Sequence, residues 1–168
     1  FVTVVTDLVS AHAWWFDRRA VRTLVPTRAA RTRALAFGLP PERVRVCGLP
    51  VDAAFMRSSQ DKSAVRRKLG WKPNQFTALL LCGAEGMSPL RDIASTLRVS
   101  GMPMQLAVVC GRNARIRARL AALQWPFPTY VYGFVENMAE LMNAADVVVT
   151  KAGPSTVMEA LSCGRPLL

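Results

Sequence analysis

The sequence predicts an α/β fold, a parallel β-sheet with helices on both faces, incomplete at both ends. Three observations predict it. Strand-like and helix-like segments alternate almost throughout the 168 residues, which is the rhythm of strand–crossover–strand units. Hydrophobic residues make up 51% of the chain, enough for a substantial core and too many for a disordered segment. Several loops that follow strands carry a glycine or a charge, as ligand-binding loops at the carboxyl ends of parallel strands do.

Residues 1–6 form a β-branched run that reads as a buried strand. A weaker strand covers 23–26, and a helix rich in Ala and Arg follows over 27–37, with Thr27 as N-cap and Gly38 as its stop. A short strand at 43–47 closes at Gly48-Leu49-Pro50. Residues 50–62 have no clear period and read as a linker. A basic helix covers 62–69 and ends at Gly70. Beyond it lie a strand at 76–82, the loop 83–88 and a helix to about 97. Next come a strand at 105–110, the loop 111–113 and a helix to about 123. A strand at 129–132, a short helix at 138–143, a strand at 146–150 and a helix at 155–163 complete the series. The terminal residues 166–168 resemble the opening of another strand, and both ends read as cuts in a longer protein.

The chain carries 22 Lys and Arg against 11 Asp and Glu, a formal charge of +11. The excess is uneven, with 13 basic and 5 acidic side chains before residue 71 and nine against six after it. Such a charge favours anionic partners (phosphorylated small molecules, anionic membrane or nucleic acid), or it is a solvated basic face. The cysteines Cys47, Cys82, Cys110 and Cys163 form no CxxC pair. Three of them lie in or beside apolar runs and read as small buried hydrophobes suited to a reducing cytosol. No apolar run approaches the ~20 residues that a spanning helix needs.

Four segments can carry chemistry. The loop Gly83-Ala84-Glu85-Gly86-Met87-Ser88 follows a strand and opens a helix, so its amides can approach a phosphate. It is also compatible with an ordinary tight turn. The segment Lys151-Ala152-Gly153-Pro154-Ser155-Thr156 opens a helix, with Pro154 suited to its start and Ser155 or Thr156 to its cap. An anion fits there with Lys151 beside it. Glu159, one turn on, either holds a ribose diol or complements the helix dipole. Arg112, in Gly111-Arg112-Asn113, either clamps a diphosphate or is one solvated arginine among several. His12 is either a general base or a structural histidine. The aromatic cluster Trp14-Trp15-Phe16 either lines an acceptor or membrane surface or packs internally. There is no HExxH, no DxD pair and no G-x-S-x-G elbow.

Taken in order, V-T-D-L-x-x-x-H-x-x-W-F, V-P-T, V-x-G-L-P-V, G-A-E-G-M, V-V-C-G-R-N, G-F-V-x-N-M and T-K-A-G-P-S-T-x-x-E-A resemble the monogalactosyldiacylglycerol synthase family and its bacterial diacylglycerol glucosyltransferase relatives. The resemblance implies a GT-B fold of two Rossmann-like domains. Residues 1–49 would be the tail of the acceptor domain and 50–72 the linker and first helix. Residues 73–168 would be a truncated nucleotide-sugar domain. It implies transfer of galactose or glucose from a UDP-sugar to diacylglycerol, at the cytoplasmic face of a membrane contacted peripherally. No cofactor and no essential catalytic metal would take part. Gly83, Ala84, Glu85 and Gly86 match the donor loop, and Arg112 and Asn113 the segment beside the diphosphate. Phe134 and Val135 match the segment whose backbone reads uracil. Gly153, Pro154, Ser155 and Thr156, beside Lys151, match the phosphate-side helix start, and Glu159 the ribose carboxylate. His12 and Trp15 match an H-x-x-W pair near the cleft, while the main base is expected upstream of Phe1. Cys82, Ala84 and Ser88 stand where the family has glycines, which narrows the backbone of that loop. The alternatives are transfer of N-acetylglucosamine to a polyprenyl-linked precursor and, more remotely, a basic nucleic-acid-binding module. No nucleic acid is expected as partner, because no RNA-binding signature is present.

Overall fold

The computed structural model describes residues 1–56, 61–81, 96 and 103–168. The loop assigned to 83–88 and Cys82 lie outside the described residues. The chain divides into two compact units, Phe1–Val51 and Asp52–Leu168.

The first unit is a three-stranded parallel sheet of β1 (Val2–Val4), β2 (Arg22–Val25) and β3 (Val44–Val46), in that order. Helix α1 (Arg28–Ala36) starts where expected, because the Thr27 side chain accepts from the Ala30 amide at 3.0 Å. It stops at Gly38, whose φ of +83° is in the left-handed region that suits glycine. The Arg18 guanidinium donates to the Phe37 carbonyl at 3.0 Å, placing a cation at the negative end of the helix. Val5, Ala11, Val25, Ala30, Ala34 and Val44 form the core.

The second unit holds β4 (Phe76–Leu81), β5 (Met104–Val109), β6 (Thr129–Tyr132) and β7 (Val147–Thr150), all parallel, in the order β6-β5-β4-β7. Its fully described helices are α2 (Lys62–Lys68), α3 (Ala114–Ala121), α4 (Met138–Ala144) and α5 (Pro154–Ser162). The strand pleat sorts the apolar residues. Leu79, Leu81, Ala107 and Val109 face a core shared with Val65, Leu141, Met142 and Ala160. Ala78, Leu80, Leu106 and Val108 face Ile116, Leu120 and Phe127. A strand with apolar residues on both faces needs both covered, and α3 covers one while α2, α4 and α5 cover the other. Past Gly164, Leu167 bridges to Val148 in parallel, which continues the sheet beyond β7.

Two polar nodes lock the amino ends of these strands. Gln105, fully buried, pairs in register with Thr77. It accepts from the Lys72 amide at 2.9 Å and donates to the Lys72 carbonyl and to Thr77 Oγ1 at 2.8 and 2.7 Å. Its amide therefore fixes the approach to β4 against β5. Arg66, 5% exposed, donates to the Ala144 and Pro73 carbonyls and to Asp146 at 2.6 Å. Asp146 also accepts from Lys62 and from the Thr77 amide. Burial alone would raise the Asp146 carboxyl, but the bonds from Lys62, Thr77 and Arg66 outweigh it and hold it below its ordinary value.

Three expectations need correction. The first strand is not buried, because β1 spans only Val2–Val4 at the edge of its sheet, with Val2 and Val4 53% and 48% exposed. The 50–62 segment is not wholly irregular, because Ala53–Met56 forms a 3₁₀ turn with the Asp52 carboxylate on the Ala54 amide. Ser155 and Thr156 do not cap α5. Gly153 is the N-cap, with no side-chain bond, and Pro154 is the first helical residue. Proline fixes φ for a first turn and has no N–H to leave unpaired, so the cap falls two residues earlier than Ser155.

Asp146→Ala is expected to destabilise the second unit by about 3 kcal/mol, since it leaves the Arg66 guanidinium buried and unpaired. Urea unfolding followed by Trp71 and Trp125 fluorescence measures it. Because the Asp146 carboxyl is depressed, its contribution is complete above the ordinary carboxylate value of ~3.9 and is lost as pH falls below that through the folded value. The alanine variant should therefore lose less stability than the wild type on acidification. Gln105→Leu is expected to cost about 2 kcal/mol, because it strands the Lys72 amide. A midpoint within error of the wild type would remove Gln105 from the register argument.

Candidate functional site

Strand order reverses between β4 and β7, since the chain leaves β6 at one edge and returns beside β4. In an open parallel sheet the crevice outside the carboxyl ends at such a point is left uncovered. Leu81, Val109, Thr150, Lys151, Gly153, Met138 and Thr156 line a cavity of about 130 Å³ there. A larger one of about 800 Å³, sharing Val109 and Met138, extends over Gly111, Arg112, Asn113, Arg115, Phe134 and Val135. Both lie within the second unit.

Each wall has a local cause. Gly111, with φ +56°, makes the left-handed step that turns the chain out of β5. Arg112 follows, exposed, with its guanidinium carbon 5.3 Å from the Phe134 ring centroid. Asn113 ends the turn as the N-cap of α3, accepting from the Ile116 amide at 3.0 Å. Its oxygen thus acts on the site by fixing where α3 begins. After β6, Gly133 passes beside Arg117 at ordinary contact distance, and Phe134 is 64% exposed next to Val135. After β7, the Gly153 amide donates to the Lys151 carbonyl at 2.7 Å, a tight turn that delivers the chain to α5.

The electrostatics are one-sided. Among the described residues lining the two cavities, Arg112, Arg115 and Lys151 are cations and none is a carboxylate. α1, α2 and α3 each have a side-chain cap, from Thr27, Asp61 and Asn113, whereas α4 and α5 have none, and both of these begin at the cleft, where Met138 and Gly153 line it. The first amides of α5 are therefore left for another acceptor, with the positive end of the helix behind them.

Of the residues singled out from the sequence, Arg112, Asn113, Phe134 and Val135 meet at the larger cavity, and Lys151, Gly153 and Thr156 at the smaller. Pro154 and exposed Ser155 belong to the same helix start without lining either. Glu159 lies one turn further along α5, partly buried, and burial raises its carboxyl above the ordinary value. Gly83, Ala84, Glu85 and Gly86 lie outside the described residues. Met138 and Arg115 are additional lining residues. Met138 stood inside a motif, but an apolar side chain carries no chemistry that marks it, and Arg115 was indistinguishable from its arginine neighbours.

His12, Trp14, Trp15 and Phe16 belong to the first unit. His12 caps a single 3₁₀ turn, Ala13–Trp15, its Nδ1 accepting from the Trp14 amide at 3.3 Å. Trp14 and Trp15 are 89% and 56% exposed. Phe16 departs from the surface reading. It is 6% exposed and packs on Phe37, because the turn sends the third aromatic inward to the core under α1.

Residues 77–168 match the glycosyltransferase family 28 C-terminal domain, and residues 1–51 match monogalactosyldiacylglycerol synthase. The whole chain is 39% identical to the chloroplastic monogalactosyldiacylglycerol synthase of Spinacia oleracea and 36% identical to synthase 1 of Arabidopsis thaliana. It spans about a third of the length of each, 34% and 33%. Among solved structures, an Anabaena protein, HepE, in complex with UDP-glucose aligns over 99% of this chain and 52% of its own, with a TM-score of 0.61 and 20% identity. A glycosyltransferase from Rickettsia africae aligns over 99% and 50%, with a TM-score of 0.62 and 10% identity. Those two likenesses show the fold, a GT-B type assembly of parallel sheets flanked by helices. With the family 28 domain covering more than half of its residues, the chain belongs to that family of glycosyltransferases, beside the monogalactosyldiacylglycerol synthases it resembles along its whole length.

Proposed function

We propose that this chain is the donor-binding part, with an adjoining piece of the acceptor domain, of an enzyme that transfers galactose or glucose from a UDP-sugar to diacylglycerol. The observation that carries the reading is the cation-lined cleft at the strand-order reversal. There the uncapped start of α5, Lys151, Arg112 and the Phe134–Val135 loop converge within a family 28 domain. Relatives of this chain are named monogalactosyldiacylglycerol synthases.

In this reading the base edge of UDP runs along the Phe134–Val135 backbone, Glu159 accepts from the ribose hydroxyls and the diphosphate lies at the start of α5. A base deprotonates the lipid hydroxyl, which attacks the anomeric carbon from the face opposite UDP and inverts it. The bond to the diphosphate breaks, and the departing charge is stabilised by the α5 dipole and by Lys151 or Arg112. His12 is the candidate base within this chain, and because its Nδ1 accepts from the Trp14 amide, which puts the proton of the neutral ring on Nε2, it has to release that bond to take a proton. The reaction uses no cofactor beyond the donor. The basic excess before residue 71 and the exposed pair Trp14 and Trp15 support peripheral contact with anionic lipid. Among the described residues no helix is long and apolar enough to cross a membrane.

In the full-length enzyme Glu159→Gln is expected to raise the donor KM about tenfold with a smaller fall in kcat, because binding shared by ground and transition states is lost. Steady-state kinetics at varied donor concentration measures this, and an unchanged donor KM would remove Glu159 from the site. Burial raises the Glu159 carboxyl, so its ionised form is lost earlier on acidification than that of an ordinary glutamate. The wild-type donor KM should rise toward acid pH while that of the Gln variant stays flat. A second expectation concerns the membrane. Binding to vesicles of anionic phospholipid should fall with added salt and, at fixed salt, should weaken in Trp14→Ala and Trp15→Ala. Sedimentation that ignores both salt and the tryptophans would overturn the lipid contact.

A further inference from the structure

Phe134 is exposed, yet it stands at the wall of the larger cavity rather than on open surface. Its ring is not bare, because the Arg112 guanidinium stacks over it with 5.3 Å between the central carbon and the centroid. Arg112 makes no ion pair with a carboxylate among the described residues, so the aromatic face is the partner recorded for its charge. The same ring is the planar apolar surface in the cavity against which a nucleobase can lie. The same guanidinium is a cation on the β5 side of the cavity that can grip a phosphate. One contact therefore occupies two recognition groups at once.

We infer that Arg112 is a specificity-determining residue that ties recognition of the base to recognition of the diphosphate, so that the cleft selects nucleoside diphosphates over nucleosides. The inference rests on the donor-site reading above. A diphosphate offers Arg112 short, charge-assisted and bidentate hydrogen bonds, which outweigh a solvent-exposed cation–π contact. Arg112 then leaves the ring, and the base takes its place. A nucleoside brings a base but nothing to draw Arg112 away, so it must displace the guanidinium at a cost. An exposed cation–π contact corresponds to about two- to fivefold in affinity. Arg115 lines the same cavity from the first turn of α3 and leaves a positive charge there when Arg112 moves.

The two substrates therefore respond to loss of Arg112 with opposite signs. In the full-length enzyme, Arg112→Ala is expected to weaken UDP at least fivefold while tightening uridine about two- to fivefold. Titration calorimetry measures UDP directly and uridine by displacement of UDP. Arg112→Gln serves as a second variant with the length of the side chain largely kept. Phe134→Leu should abolish the gain for uridine, so that Arg112→Ala in that background leaves uridine unchanged, a coupling that a double-mutant cycle reads directly. If uridine is weakened or unchanged by Arg112→Ala in a protein that still binds UDP, the coupling is overturned while the donor site stands. If uridine tightens equally with and without the Phe134 ring, Arg112 acts by charge alone and the coupling is likewise overturned. A wild-type enzyme that does not bind UDP overturns the donor site, and the coupling with it.

Discussion

The second unit is organised around the buried pairing of Arg66 with Asp146. A guanidinium that is 5% exposed has to satisfy its donors inside the protein, and here they reach the end of α4, the approach to β4 and the start of β7. Asp146 completes the node by accepting from Lys62 on α2 and from the amide of Thr77, the second residue of β4. Helix α2 and the strands β4 and β7, distant in sequence, thus meet at one carboxylate. Such pairs contribute little net energy compared with apolar packing, but leaving one unpaired is costly. Their effect is to exclude other arrangements of the same elements. With Gln105 holding β5 to the approach to β4, the amino ends of the strands have their register set by polar contacts that tolerate no slip.

That arrangement leaves the carboxyl ends free for a different task. Both faces of the sheet are covered, so the described cavities that continue its core residues open at its edge, where Leu81, Val109 and Thr150 end their strands. The loops there are built for display. Gly111 takes a backbone conformation that suits no other residue well, Gly133 passes beside Arg117, and Gly153 starts a helix with no side chain to occupy its amides. The rigid end of the sheet and the open end are consequences of one topology, with β7 placed beside β4 instead of beyond β6.

Much of this was legible in the sequence because it is local. Strand β6 has the bounds that its composition predicts, and α1 begins at the predicted Thr27 cap and stops at Gly38. Glycines after β5 and β6 marked the loops that form the cleft. The unread parts depend on partners far away in the chain. Arg66 and Asp146 are 80 residues apart, and Gln105 meets Lys72 across 33, so no spacing rule could pair them. Phe16 looked like its two neighbours until the 3₁₀ turn rotated it into the core. Ser155 and Thr156 are good caps in isolation, yet Pro154 ahead of them sets φ and moves the helix start to Gly153. The same displacement leaves the first α5 amides without a side-chain cap.

The cleft is lined by Arg112, Arg115 and Lys151 with no carboxylate among the described lining residues. Solvent screens like charges at such a surface, and the Phe134 ring gives one guanidinium a partner. Partial burial of Glu159 raises its carboxyl and disfavours the charged form. In the proposed donor reading, a diphosphate would complete the cations and a ribose diol the carboxylate. Any ligand that binds only the folded form also stabilises it by mass action. Folding stability is therefore held at the amino ends of the strands, where Arg66, Asp146 and Gln105 are satisfied within the protein. The carboxyl ends differ, because their cations and the start of α5 have no carboxylate or side-chain cap among the described residues, which is what the proposed donor site rests on.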